Sequence, residues 1–513
     1  MTDAIGVRET RSDRKRWVAL IALVAAVLVL GLDMTILITA LPTISARLGA
    51  TESDLQWISG AYTLAMSVLL IPAGVVGDHL GRKKTLLFGV FIFGLGSVIA
   101  SRVTTPGELI WMRAVMGIGA AVIMPLSMSI LPSMFSEEER PRAVMIVTAT
   151  VMLGLPLGPL VSGWLLTHFD WGLIFLINAP FVLAALLAVG FLVPETRDDA
   201  APRLDWLGAA LLLVGMIGLV YGIIEQPSQG WGDWRVWGAG LGGLLLLGAF
   251  VAWELVTRSP LIDLHLFTRP RFLWGTVAFT IVGFAMMGVM FVITPYFQSV
   301  QGASAQGTGL RLLPLIGGLL AGGLVSERLA RAAGARITVT LGLVMMAGGL
   351  AVCSRVGPAT GFGLVAAALA LIGIGLGFGM PTAMDAVLGA LPPAQVGAGS
   401  GISRAIQNVA TTMGPAILGS ILAGSYGARL GSHLRGLPAP AWSAAHGSIA
   451  GAVAVAGKLP PSVGRPLATA AKLAYTDAMG EVLLISAAVA LVGAVLVVIF
   501  LPARAPESEP GAA

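Results

Sequence analysis

Apolar runs long enough to cross a ~30 Å hydrocarbon core, about 20 residues apiece, recur along the whole of this 513-residue chain. About fourteen can be read, near 17–41, 55–76, 85–101, 107–132, 142–166, 171–193, 204–224, 236–256, 272–298, 308–326, 337–355, 361–390, 400–425 and 481–502. Backbone in lipid must satisfy its own hydrogen bonds, and runs of this length do so as helices. The expected fold class is therefore an all-α integral membrane protein. Charge content agrees: 11% of residues are charged, where a soluble domain carries about 25%, and mean hydropathy is +0.89. The first run is too long for the apolar part of a secretory signal. It ends in Ala40-Leu41-Pro42 rather than a small-x-small cleavage site, so it is expected to remain as an uncleaved span.

Several function classes are disfavoured by what the chain lacks. One cysteine, Cys353, cannot make a disulfide framework or a thiolate metal cluster. The five histidines share no ligand-like spacing, so no metal is expected. The net charge of +5 comes without a basic stripe interleaved with aromatics, and no nucleic-acid partner is expected. No nucleotide-cradling Gly-x-x-x-x-Gly-Lys loop occurs, which argues against direct ATP drive. Gly117-Ile118-Gly119 sits inside a span with no strand before it, so it is no dinucleotide fingerprint. No nucleophile–base pair stands out, and an enzyme is not expected.

Where the bases fall orients the spans. With the N-terminus inside, 19 of the 31 Lys and Arg lie in the inner tails and short inner loops. They include Arg8, Arg11, Arg14, Lys15 and Arg16 of the N-terminal tail, then Arg82, Lys83 and Lys84, Arg140 and Arg142, and Arg197 and Arg203. Arg258, Arg269, Arg271, Arg328, Arg331, Arg336 and Arg504 complete the set. Basic bias in short loops marks the cytoplasmic side, so both termini are expected in the cytoplasm. The division expected is a tail 1–16, a six-helix half 17–195, an inserted pair 196–260, a second six-helix half 261–502 and a tail 503–513. The second half would include an outer loop 426–480, rich in Ala, Gly and Pro, with one short surface helix over Leu467–Leu473.

The chain also repeats itself. Gly117-Ile118-Gly119 followed by Met124-Pro125 in the fourth span matches Gly373-Ile374-Gly375 followed by Met380-Pro381 in the twelfth. Gly158-Pro159-x-x-x-Gly163 in the fifth matches Gly414-Pro415-x-x-x-Gly419 in the thirteenth. The loop Gly74-x-x-x-Asp78-x-x-Gly81-Arg82-Lys83 has a weaker echo at Gly323, Glu327, Gly334 and Arg336. Two parallel halves with a substrate site between them is a transporter architecture.

Embedded charge names the candidate residues. An aspartate at the centre of an inserting helix costs ~2.5–3.5 kcal/mol, so Asp33 in Leu32-Asp33-Met34-Thr35 needs a partner or a cavity. A carboxylate there can hold a proton or a cationic substrate, but not both comfortably. Burial favours its protonated form and a bound cation its charged form, which is a physical basis for exchange. The alternative is a structural carboxylate paired with a neighbouring helix. Arg113 either faces inward and tunes Asp33 or snorkels to the surface. Asp385 is either on a proton path to the cytoplasm or an interfacial acid that reaches water. Arg404 reads as an interface anchor. Asp78, Gly81 and Arg82 form either a topology-setting loop or a gate whose ion pair breaks between states. Gly154, Gly158, Pro159 and Gly163 mark a helix able to bend and pack closely, for packing alone or for rocking.

Taken together, these motifs make the chain resemble the major facilitator superfamily, and within it the fourteen-helix drug:proton antiporters. Leu32-Asp33-x-Thr35 with Ala40-Leu41-Pro42 is similar to the family's first-helix motif. Gly74 to Lys83 is similar to its loop motif, and Leu109-x-x-x-Arg113 with Gly117 and Gly119 to its fourth-helix motif tied to proton transfer. Gly154-x-x-x-Gly158-Pro159-x-x-x-Gly163 is similar to its antiporter motif. His79 stands where a basic residue is usual in the loop motif, and Ser162 where Gly is more common in the antiporter motif. The resemblance implies a monomeric exporter of amphipathic, often cationic drugs or antibiotics, driven by inward proton flow and needing no cofactor. The tenth and thirteenth spans lack the further acids of some polycation exporters, reading Leu313-Pro314-Leu315-Ile316 and Ser403-Arg404-Ala405-Ile406, so divalent cations are a weaker expectation. Alternatives kept open are an exporter dedicated to one natural product and a non-transporting membrane sensor.

Overall fold

The computed structural model describes residues 3–136, 139–197, 205–230, 232–257, 260–391, 396–434 and 437–502. Every long element among them is a helix. In chain order these are α1 (Asp3–Leu48), α2 (Glu52–Leu80), α3 (Arg82–Ala100), α4 (Pro106–Met134), α5 (Arg140–His168), α6 (Leu173–Leu176), α7 (Asn178–Leu192), α8 (Trp206–Gln229) and α9 (Trp234–Glu254). There follow α10 (Pro270–Pro295), α11 (Ala305–Arg311), α12 (Leu313–Ala333), α13 (Ala335–Cys353), α14 (Phe362–Leu388), α15 (Val396–Leu430), α16 (Ala439–Gly447), α17 (Ile449–Lys458) and α18 (Pro461–Phe500). Among the described residues twelve helical stretches are long and apolar enough to cross a membrane. Helices α5 and α15, of 29 and 35 residues, occupy the places of the fifth and thirteenth runs. The chain is thus a multi-pass membrane protein. Its outer surface displays Phe191, Leu324, Leu245 and Trp111, each more than 70% exposed, as suits a surface facing lipid rather than water.

Helix starts follow local rules. Thr51 caps α2 and Thr105 caps α4, each in a reciprocal box with the acid three residues on, Asp54 and Glu108. Between α2 and α3 the chain turns at Gly81 (φ 111°), and between α12 and α13 at Gly334 (φ 86°), a backbone region that favours glycine. The weak loop echo is therefore the same turn used twice.

The other repeats also do the same work twice. A methyl group at Gly117 would overlap the Tyr62 carbonyl of α2, and one at Gly119 would lie 2.6 Å from the Gly89 carbonyl of α3. In α14, Gly373 is pressed on the Leu315 carbonyl of α12 in the same way, and a methyl at Gly375 would lie 2.5 Å from the Gly342 carbonyl of α13. Each Gly-Ile-Gly thus seats one helix against the second and third helices of its own half. Gly158 of α5 faces Thr35 of α1, and Gly414 of α15 faces Phe284 of α10, the first helix of each half. Gly163 and Gly419 instead face the opposite half, at Gln306 and Gln56.

Two boundary expectations are corrected. The segment 426–480 is not a loop with one short surface helix. Its described residues hold the end of α15, a 3-10 turn over Gly431–Leu434, α16, α17 and the first half of α18, with Leu467–Leu473 inside α18. That helix has 40 residues, or ~60 Å, about twice a bilayer core. Its early part reads as loop because Gly464, Arg465 and Pro466 interrupt the apolar run, yet Pro461 stands at the first helical position, where proline is tolerated, and the helix continues through Pro466. The segment 1–16 is helical from Asp3, as a continuation of the first span. Arg203, Arg258, Arg504 and the tail 503–513 lie outside the described residues.

Candidate functional site

α1 and α18 place both chain ends on one face of the bundle, called here the terminal face; the other is the distal face. α1 rises from the terminal face past Asp33, and α4 descends from the distal face past Arg113. The two side chains meet in the interior. Arg113 Nη1 lies 2.6 Å from Asp33 Oδ2, and both residues are 2% exposed. Arg113 Nε donates to the Ile58 carbonyl of α2 at 3.2 Å, and its guanidinium lies 4.3 Å from the Tyr62 ring centroid. An arginine held by carboxylate, carbonyl and ring together has little freedom to turn. Tyr62 is fully buried, and its hydroxyl has no hydrogen-bond partner.

Helix α5 backs this pair. Thr35 Oγ1, half a turn from Asp33, lies 3.4 Å from the Gly154 carbonyl. A methyl at Gly154 would lie 2.6 Å from the Gly31 backbone, and one at Gly158 would overlap Thr35 Oγ1. On its other side α5 touches the second half: a methyl at Gly309 of α11 would lie 2.5 Å from the Pro159 carbonyl, and one at Gly163 2.6 Å from Gln306 Cα. One helix thus links the Asp33 segment to the opposite half through its glycines.

Around the pair the space is small and rich in methionine. Met34, Tyr62, Arg113 and Met287 border a cavity of about 10 Å³, room for at most a water molecule. Thr35, Met286, Met287 and Met290 border a neighbouring one of about 40 Å³. A larger cavity, about 550 Å³, lies elsewhere, an apolar groove between α8, α9 and α15 with no charged residue in its lining.

The remaining sequence candidates sit apart. Asp78 Oδ1 accepts from Arg82 Nε at 2.6 Å, and Arg82 Nη1 donates to the Ser129 carbonyl of α4 at 3.1 Å. Glu195 caps the turn by accepting from Lys83 N at 3.0 Å, beside Gly81. All these contacts stay within the first half. Asp385 does not approach Asp33; it is exposed in a polar cavity of about 520 Å³ at the terminal face, with Glu327, Arg271 and Arg331. Arg404 is half-buried near the start of α15.

Between described residues, each hydrogen bond joining the halves lies from mid-depth to the distal face. They are Thr412–Thr63 (2.8 Å), Gln298 to the Thr39 carbonyl (2.7 Å), Ser420–Gln56 (3.1 Å) and Ser45–Ser448 (3.0 Å). Among the described residues, the polar contacts between the halves thus gather toward the distal side. Tyr62, Gln56 and Gln298 were not singled out in the sequence. Their only signal is polarity inside an apolar run, which does not reveal a partner hundreds of residues away.

The sequence model of the Major Facilitator Superfamily matches residues 23–415. The chain belongs to the major facilitator superfamily. Among relatives, it is 30% identical to the tetracenomycin C resistance and export protein of Streptomyces glaucescens, over 96% of this chain and 94% of that one. It is 31% identical to the methyl viologen resistance protein SmvA of Salmonella typhimurium (90% and 93%). It is 30% identical to the multidrug efflux pump LfrA of Mycolicibacterium smegmatis (95% and 97%). Its fold matches that of a bacterial homolog of the human lysosomal transporter Spinster, inward-facing and unoccupied, with TM-score 0.68, 17% identity and coverage of 96% and 99%. A D-xylose-proton symporter matches at TM-score 0.61, with 13% identity and coverage of 95% and 98%. The superfamily consists of membrane transporters, and the relatives named here are resistance and efflux proteins.

Proposed function

We propose that this member of the major facilitator superfamily is a proton-coupled antiporter that exports amphipathic, cationic drugs or antibiotics across the cytoplasmic membrane. The observation that carries the reading is the buried Asp33–Arg113 pair, a carboxylate held in the bundle interior beside methionine-lined space. Asp33 would exchange a proton for a cationic substrate, and Arg113 would restrain its charge when neither is bound. Flexible, polarizable methionines suit substrates of varied shape. The terminal face would be cytoplasmic, as the basic loops favour, and the distal face external. Asp78 and Arg82 would form the inner gate, exchanging the ion pair they make with each other here for partners on the opposite half when the distal side opens, and Asp385 would pass protons to the cytoplasm. The protein would act as a monomer with no cofactor, using the proton gradient. One charge crossing 100 mV supplies ~2.3 kcal/mol.

A second reading, dedicated export of one natural product, is favoured by the similarity to a protein named for tetracenomycin C. A broad substrate screen separates the two. The exchange itself is tested by proton release. Adding an ethidium-like dye to purified protein in weakly buffered detergent should release protons, and Asp33→Asn should release none. Equal release by Asp33→Asn would remove Asp33 from the coupling site.

A further inference from the structure

The segment between α15 and α18 folds over the distal face as the α16–α17 pair. Ser448 caps α17 through Gly451 N (3.0 Å), and its hydroxyl also meets Ser45 of α1 at 3.0 Å. Gly447 rests on Thr51, the cap of α2, and His446 of α16 stacks on Trp442 and packs against Gly427 of α15. Beneath this cover lies Glu52, the first residue of α2, 8% exposed. Its Oε1 is buried without a hydrogen-bond partner.

No side-chain donor or cation reaches Glu52, and the start of α2 offers only the partial positive charge of a helix N-terminus. Tyr426 of α15 and Tyr475 of α18 border the same cavity. Each phenol has one proton to give, and both are given elsewhere. Tyr426 donates to the Ala445 and Ser448 carbonyls (3.1 and 3.4 Å), and Tyr475 donates to the Val292 carbonyl (2.8 Å). Arg429 of α15, three residues beyond Tyr426, is taken by Glu481 of α18 and by Ser425. On α2 itself Asp54 is bound to Thr51, and on α8 Glu225 holds Ser53 and Trp57. Arg47 of α1 is exposed, and Lys458 closes α17 at its far end. The cavity is about 10 Å³, which leaves space for a water molecule and none for an organic cation. Burying a carboxylate without donor or cation is far more costly than burying the neutral acid. Ionisation of Glu52 and closure of the cover therefore oppose each other.

We propose that Glu52 is a second proton site, on the distal side, and that the α16–α17 cover closes over it only once it has taken up a proton. The proposal rests on the reading of the chain as a transporter that opens and closes its distal side, and it adds a site separate from Asp33. Proton uptake from outside would thereby be a condition for closing the distal face after substrate has left. The sign follows directly: acid outside favours the closed cover, alkali the open one. His446 would give the opposite slope. Burial holds its imidazole below the ordinary value, so acid would favour its exposure and loosen the cover.

The test reads cover opening without requiring transport, so it stays decisive even if the efflux assay is negative. A reporter cysteine replaces the buried Ala445 in a Cys353→Ser background, in proteoliposomes treated with a membrane-impermeant maleimide. Rates are normalised to a cysteine at the exposed position of Ala439, which removes the pH dependence of the thiol itself. The expected result is normalised labelling that rises several-fold from mildly acidic to mildly alkaline external pH, and stays low and flat in Glu52→Gln. Glu52→Ala is read in the same way should Glu52→Gln fail to fold, its own expected result being a flat profile. A slope unchanged in the variant lacking the carboxyl, or no slope in the parent, would overturn the proposal. A slope rising toward acid would assign the response to His446 and overturn it as well.

Discussion

At the scale of single residues, the burial of Asp33 and Arg113 together makes each the condition for the other. Removing one partner of a buried ion pair leaves an uncompensated charge, at a cost of ~3–5 kcal/mol. Removing both costs much less, because no charge remains. Arg113→Ala is therefore expected to lower the melting temperature in detergent strongly, and Asp33→Asn/Arg113→Ala to recover most of the loss. An additive double variant would mean that the pair is not energetically coupled. Asp33 was legible in the sequence because a charge in an apolar run stands out. Arg113 was legible as a candidate whose direction stayed open. Tyr62 was not legible, since a tyrosine in an apolar helix is ordinary and only packing reveals the guanidinium on its ring. Glu52 was hidden for another reason: Thr51-Glu52-Ser53-Asp54 reads as a polar loop, and its burial comes from a segment some 400 residues later.

At the scale of elements, glycine spacing was the readable signal, and the structure gives it a cause. The matched glycines of α4, α5, α14 and α15 sit against a neighbouring helix with too little room for a side chain. Gly158→Ala would drive a methyl into Thr35 Oγ1, next to the Asp33 segment. Overpacking of this kind costs ~1–3 kcal/mol. The expected outcome is a lower melting temperature and weaker dye export, partly restored by Thr35→Ala. Gly317→Ala in α12, where no atom lies within 4 Å, should leave both unchanged. Equal effects at 158 and 317 would show that the α1–α5 contact is not the tight one. Helix ends were less legible. The α18 helix begins about 20 residues before its apolar run, because its first half is held by α17 and by its own backbone rather than by lipid. Hydropathy senses the membrane, not a helix extending beyond it.

At the scale of the whole molecule, the repeated motifs become two halves whose matching glycines seat matching helices. Their polar contacts gather on the distal side. The all-helical membrane class could be read from apolar runs, and the family from a few motifs. Where the two halves meet could not, because it depends on contacts such as Gln298–Thr39 that join distant parts of the chain. The central claim is that proton flow in one direction drives substrate in the other, and flux in everted membrane vesicles tests it most directly. With the vesicle interior made acidic, the protein should accumulate an ethidium-like dye inside, and a protonophore should abolish the accumulation. Accumulation that persists unchanged with the protonophore present, or none with the gradient intact, would contradict the account.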